Sequence, residues 1–266
     1  MNYKHFFGFQ KEPFAQDIRV TDLFPLSSLG GVSERITFAV QLGAVTVLTG
    51  DVGSGKSTSL RYASSQMHPS KYTIVPVIAN SGTVMELYRQ IGLALNVETR
   101  SPSLTSVIKT VRAALSEIAL RKETPVLIID EAHLMRLEVF AQLHTLLQSD
   151  FDSKPLAPVV LTGHTTLMDK LLYHTSRPLA SRVVGKSHLE GLKIKEMQAY
   201  LIHHLTIAGI KEQVFSEDAV LAIHQGSGGL LRRANLLARG ALMAASMEKS
   251  SVVSAEHVRI ASTEII

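Results

Sequence analysis

The sequence predicts an α/β fold, a parallel sheet with helices on both faces, followed by a small all-helical domain. Three observations lead there. Short apolar runs at Val45–Thr49, Tyr72–Ile78, Val126–Asp130 and Val159–Thr162 recur between segments of helical spacing, the alternation expected of parallel strands whose crossovers cover the sheet. A glycine-rich stretch, GDVGSGKS at residues 50–57, stands between the first run and a helix-like segment. Beyond about Gly191 only helical patterns remain.

The elements follow in chain order. Five of the nine phenylalanines, Phe6, Phe7, Phe9, Phe14 and Phe24, fall in the first 24 residues, before the first strand. Such a segment is too apolar for a disordered tail, so residues 1–30 are expected to pack on the main domain. The first strand then enters the glycine-rich stretch. Gly50, Gly53 and Gly55 let its backbone turn successive N–H groups inward, as a phosphate cradle requires. Lys56 can reach the outer phosphates, the Ser57 hydroxyl can bind magnesium, and Asp51, Val52, Ser54 and Thr58 complete the binding positions. The positive end of the following helix adds to the attraction.

Further on, Leu104, Val107, Ile108, Val111, Leu115 and Ile118 form one apolar stripe, which predicts a helix of about five turns. The run VLIIDE places two carboxylates at the end of a strand, Asp130 and Glu131. The first suits magnesium, and the second suits orienting or deprotonating an attacking water. His133 completes the string DEAH and is read as a structural histidine. A fifth strand is expected around 188–192. Helices are then expected at 195–208, 216–225, 230–247 and 254–265, with Ser216 and Ser254 as N-caps. The expected domains are therefore the N-terminal segment 1–30, the α/β domain 31–191 and a helical domain 192–266.

Composition narrows the setting. The 266 residues are 45% hydrophobic, ample for a buried core, and 27 Lys+Arg against 23 Asp+Glu give a formal charge of +4. That mild basicity permits nucleic acid without demanding it. The absence of cysteine excludes disulfides and cysteine-bound zinc and fits a reducing cytoplasm. No stretch reaches the ~20 apolar residues of a membrane span, and charges at Lys4, Lys11, Glu12, Asp17 and Arg19 break up any signal-peptide core. A soluble, cytoplasmic protein without a membrane partner is expected.

Taken with YKHFFGF and Pro13-Phe14 at the start, VVLTGH, LASRV and GSGGLLRRAN, these motifs resemble the AAA+ ATPases of the P-loop NTPase class. More narrowly, nearly the whole chain is similar to the general secretion pathway protein A (ExeA-like) family and its transposon-encoded relatives. The resemblance implies ATP and Mg2+ as cofactors and a C-terminal helical lid. It implies an adenine shelf from Phe9 and Phe14, with Phe7 a further candidate. It places the γ-phosphate sensor at His164 or Thr162, and a finger reaching a neighbouring subunit at Arg182 or, alternatively, Arg177. A lid arginine is implied at Arg232 in preference to Arg233. The chain carries neither the membrane segment nor the cell-wall-binding domain of the secretion relatives, which favours the short transposon-associated branch. There, a homo-oligomer sharing its ATP sites assembles on double-stranded DNA and presents it to a transposase. With no helix-turn-helix or zinc finger visible, DNA contact is expected to be backbone-directed. Lys109, Arg112, Arg121 and Lys122 form the densest basic group, which also reads as a solvated helix face. The alternatives are an ATPase of secretion or envelope assembly, and a nucleotide-switched adaptor with little turnover.

Overall fold

The computed structural model describes residues 3–149 and 154–263. By contact density the chain divides into two units. One holds the residues up to Leu26, Asp51–Gly55 and those from Glu190 on; the other holds Ser27–Gly50 and Lys56–Leu189.

The larger unit is built on a five-stranded parallel sheet in the order β2-β3-β6-β1-β7. Its strands are β1 (Val45–Gly50), β2 (Tyr72–Ile78), β3 (Thr124–Asp130), β6 (Val159–Gly163) and β7 (Val183–Leu189), with β4 (Gln148–Ser149) and β5 (Lys154–Pro155) forming a separate antiparallel pair. Its helices are α2 (Ser27–Gln41), α3 (Lys56–Ser65), α4 (Val84–Ala94), α5 (Leu104–Leu120), α6 (Leu137–Leu147), α7 (Thr166–Leu172) and α8 (Arg177–Ala180).

Strand alternation sorts the apolar side chains onto two faces. Val45, Val47, Leu127, Ile129, Val159 and Leu161 face α4 to α8, while Leu48, Val126, Ile128 and Val160 face α2 and α3. The α5 stripe behaves as its spacing predicts: Val107, Val111, Leu115 and Ile118 are buried, with Leu104 and Ile108 packed beside them. Ser103 caps this helix, and Thr83 with Glu86 makes a reciprocal capping box for α4. The fifth strand differs from its expected place, since β7 starts at Val183 rather than 188 and ends at Leu189. It is an edge strand with alternating exposure, so Lys186, Ser187 and His188 give it no apolar run.

The smaller unit contains α1 (Tyr3–Phe7), α9 (Ile194–Ile207), α10 (Glu217–Ser227), α11 (Leu231–Met247) and α12 (Ala255–Thr263). The last expected helix ran to residue 265, and its positions 264 and 265 lie outside the described residues. Ser216 caps α10 by accepting from the Ala219 N–H at 3.1 Å. Ser254 instead donates its own N–H to His257 Nδ1 at 2.9 Å. One expectation is corrected here. The aromatic N-terminal segment does not complete the sheet domain; Tyr3, Phe9 and Phe14 are buried with Met197, Leu201, Leu237 and Leu242 of the C-terminal helices. Large rings seek the deepest apolar cover available, and these helices supply it.

Within this core His204 is buried against Phe14 and Tyr200, with ring centroids 5.1 and 4.4 Å away. Burial, helped by neighbouring His203, pulls its pKa down to about 4. The folded state therefore binds its proton more weakly than the unfolded chain, whose histidines titrate near ~6.5. The stabilisation is complete above that value and is lost as pH falls through about 4, a change on the order of 3 kcal/mol. Denaturant titrations between pH 7.5 and 4 are expected to show this slope in the native chain and a flatter one in His204→Leu. Equal slopes would exclude His204 as its source.

Candidate nucleotide site

The glycine-rich loop leaves β1 and ends at the first residue of α3. Gly53 and Gly55 have φ of +85° and +98°, values that a side chain would strain, and a Cβ on Gly53 would come within 2.8 Å of the Arg232 Cβ. The Ser54 hydroxyl is buried and has no protein partner among the described residues. Lys56 is only 8% exposed, and its Nζ donates to the Gly50 carbonyl at 2.9 Å. The chain thus holds a buried cation curled over the base of the loop, directly at a helix N-terminus. An ammonium at a helix N-terminus, following a glycine-rich loop in sequence, is the kind of donor set a polyphosphate needs.

The acidic pair lies in the same unit as Lys56 and Ser57. Asp130 Oδ2 accepts from the Ser57 hydroxyl at 3.3 Å, which brings the two expected magnesium ligands together. Asp130 Oδ1 accepts from the Glu131 N–H at 2.9 Å and from the Thr162 hydroxyl. Two oxygen ligands of this type, in the same unit as Lys56, fit Mg2+ with a nucleoside triphosphate. Bound there, the ion would polarise the phosphoryl oxygens and neutralise charge developing on them. Glu131 follows at φ +55°, ψ +30°, a left-handed conformation costing about 1–2 kcal/mol in a residue with a side chain. Such strain is concentrated where geometry serves function.

Thr162 is fully buried and committed to Asp130, a supporting role absent from the motif reading. His164, at the exit of β6, is half-buried, and its backbone N–H donates to His133 Nδ1 at 3.3 Å. Of the two arginines considered for a finger, Arg177 is exposed at the start of α8. Arg182 is half-buried, with its carbonyl accepting from the Val45 N–H at 3.0 Å. In the smaller unit, the Arg232 N–H donates to the Gly53 carbonyl at 3.2 Å, which sets the first arginine of the pair against the loop.

Two groups of residues stand elsewhere. Phe14 is 1% exposed, stacked on His204 and edge-on to Phe215, and Phe9 is packed with Tyr3 and Phe7. Both rings are taken up by the core rather than set out as a shelf for a base. Arg112 leaves the basic group: its guanidinium donates to the carbonyls of Thr145, Leu146 and Gln148 and closes the end of α6. Lys109, Arg121 and Lys122 remain exposed. Among the described residues no helix is long and apolar enough to cross a membrane.

With this geometry in place, known proteins offer a comparison. A family model described as "AAA domain" matches residues 41–171. General secretion pathway protein A of Aeromonas hydrophila is 28% identical over 99% of this chain, which spans 48% of that protein's length. Two solved structures share the fold: Cdc6p from Pyrobaculum aerophilum, with TM-score 0.72, 16% identity and coverage of 95% of this chain and 70% of that one; and the Aeropyrum pernix ORC1 protein in complex with DNA, with TM-score 0.69, 19% identity and coverage of 95% and 68%. The parallel sheet, the loop at residues 50–57, the acids at 130 and 131 and the C-terminal helices together make this a P-loop AAA fold, similar in sequence to general secretion pathway protein A.

Proposed function

We propose that this protein is an ATP-hydrolysing switch that works as a homo-oligomer. The observation that carries the reading is the meeting of Ser57 with Asp130 at 3.3 Å beside the buried Lys56, with the strained Glu131 next in sequence. In this reading Lys56 and the loop amides hold the β- and γ-phosphates. Ser57 and Asp130 hold Mg2+, Glu131 takes a proton from water, and His164 senses the γ-phosphate, since Thr162 is already engaged by Asp130. Arg232 is the lid arginine, and a guanidinium from a second copy, Arg182 or the more exposed Arg177, stabilises transition-state charge.

For the work done with this energy, the proposed reading is assembly on double-stranded DNA and presentation of that DNA to a transposase. Its support is the mild basicity and a fold shared with an ORC1 protein whose structure contains DNA. A second reading, an ATPase serving secretion, is supported by the 28% identity to general secretion pathway protein A.

One experiment tests both parts. Arg182→Ala and Glu131→Gln chains, each inactive alone, are mixed; interfaces pairing an intact Glu131 with an intact Arg182 should regain hydrolysis. Failure in co-assembled mixtures transfers the finger to Arg177, tested by the same pairing. Hydrolysis and assembly are then followed with double-stranded DNA. A stimulation that falls steeply as salt rises is expected of backbone contacts, and no response at low or high salt would exclude the DNA reading in favour of secretion.

A further inference from the structure

His133 has no part in the scheme above, yet a single atom of it touches two functional residues. Its Nδ1 lies 3.3 Å from Glu131 Oε2 and 3.3 Å from the backbone nitrogen of His164. These partners make opposite demands. The Glu131 carboxylate only accepts, so it needs a proton on Nδ1; the His164 N–H only donates, so it needs the Nδ1 lone pair. A neutral imidazole satisfies one at a time.

The surroundings keep the ring at this junction. Lys170 Nζ donates to the carbonyls of His133 and Met135, which pins the turn Ala132–Leu134 from which the ring projects. Gly163 leaves the room it needs, since a Cβ there would stand 3.0 Å from Nδ1 and 3.1 Å from the His133 backbone nitrogen. Burial holds the His133 pKa below the usual value; nearby Glu131 opposes this, while His164, Lys170 and Lys56 reinforce it. The ring therefore works as a neutral tautomer near pH 7.

We propose that His133 is a positioning residue whose Nδ1 is exchanged between the His164 N–H and the Glu131 carboxylate, so that a shift of the β6 exit orients Glu131 for its water. While the His164 N–H occupies the lone pair, Glu131 lacks a donor from the ring. When that N–H withdraws, the proton moves from Nε2 to Nδ1 through solvent, and Nδ1–H donates to one carboxylate oxygen. The other oxygen is left to accept from water. No bond other than these N–H bonds is made or broken. The inference rests on the ATPase reading for the role of Glu131, but the shared nitrogen can be tested without nucleotide.

The test has two arms. In protein labelled with 15N-histidine and free of nucleotide, the His133 ring, assigned from the spectrum of His133→Asn, should show both tautomers. Glu131→Gln should move the balance toward Nε2–H, because the acceptor that favours Nδ1–H has lost its charge. An unchanged balance would overturn the proposal whether or not the protein hydrolyses ATP. In the second arm, His133→Ala should lower kcat on the order of tenfold with ATP affinity held within about twofold. His133→Asn, whose amide can donate or accept near the Nδ1 position, should restore most of it. Gly163→Ala, which keeps the imidazole but displaces it, should behave like His133→Ala. A full kcat in His133→Ala overturns the positioning role and leaves the ATPase reading standing. Absence of hydrolysis by the unaltered chain overturns that reading, and with it the proposed consequence for Glu131.

Discussion

Lys56→Ala should abolish tight ATP binding while leaving the chain folded. Lys56 is the cation at the end of the phosphate loop, 8% exposed, with its Nζ on the Gly50 carbonyl. That bond places the ammonium without neutralising it, because a carbonyl carries no formal charge. The truncation thus removes charge-assisted bonds worth roughly 1.5–3 kcal/mol each, and losing two of them corresponds to an affinity loss of at least about 10²-fold. Lys56→Arg is expected to fail as well. The position is buried at the first residue of α3, and a planar guanidinium neither fits a site shaped for an ammonium nor bends back to Gly50 in the same way. Calorimetry with ATP and Mg2+ reads the effect, and a thermal melt without nucleotide separates lost binding from lost folding. Affinity within twofold of the unaltered chain would remove the loop from the proposed site.

What the sequence made legible was local, and what it concealed was long-range. GDVGSGKS and VLIIDE could be read because strand, turn and functional residue are contiguous, and the α5 stripe because its period lies within one element. The hydrogen bond from Thr162 to Asp130 depends on β6 pairing beside β3, with Ile129 opposite Leu161; strand order is not written in either strand. For the same reason Arg112 read as part of a basic group, although it closes the end of a helix more than thirty residues away in the chain. The N-terminal phenylalanines were expected against the main domain because burial is legible in composition and the burying partner is not; the partners of Phe9 and Phe14 begin at Leu192. β7 escaped its true bounds because an edge strand buries only alternate residues, and here those facing solvent include Lys186 and His188.

Glu131→Gln should separate binding from turnover. The substitution preserves size, and the Asp130 interactions that organise the proposed ion site do not involve the Glu131 side chain: Oδ2 with the Ser57 hydroxyl, Oδ1 with Thr162 and with the Glu131 backbone N–H. ATP affinity is therefore expected to stay within a few fold. An amide cannot take a proton from water, so hydrolysis should fall on the order of 10² or more. Asp130→Asn supplies the contrast: it leaves the Glu131 carboxylate in place but removes the charge that Ser57 and Thr162 converge on, and should weaken Mg2+-dependent binding itself. The strained backbone sharpens the test. With φ at +55°, Glu131→Gly should relieve the ~1–2 kcal/mol of left-handed strain and give a chain that is no less stable yet inactive. A chain that is inactive and also markedly less stable would mean that the side chain holds the turn together, and hydrolysis retained in Glu131→Gln would take the water-handling role away from this residue.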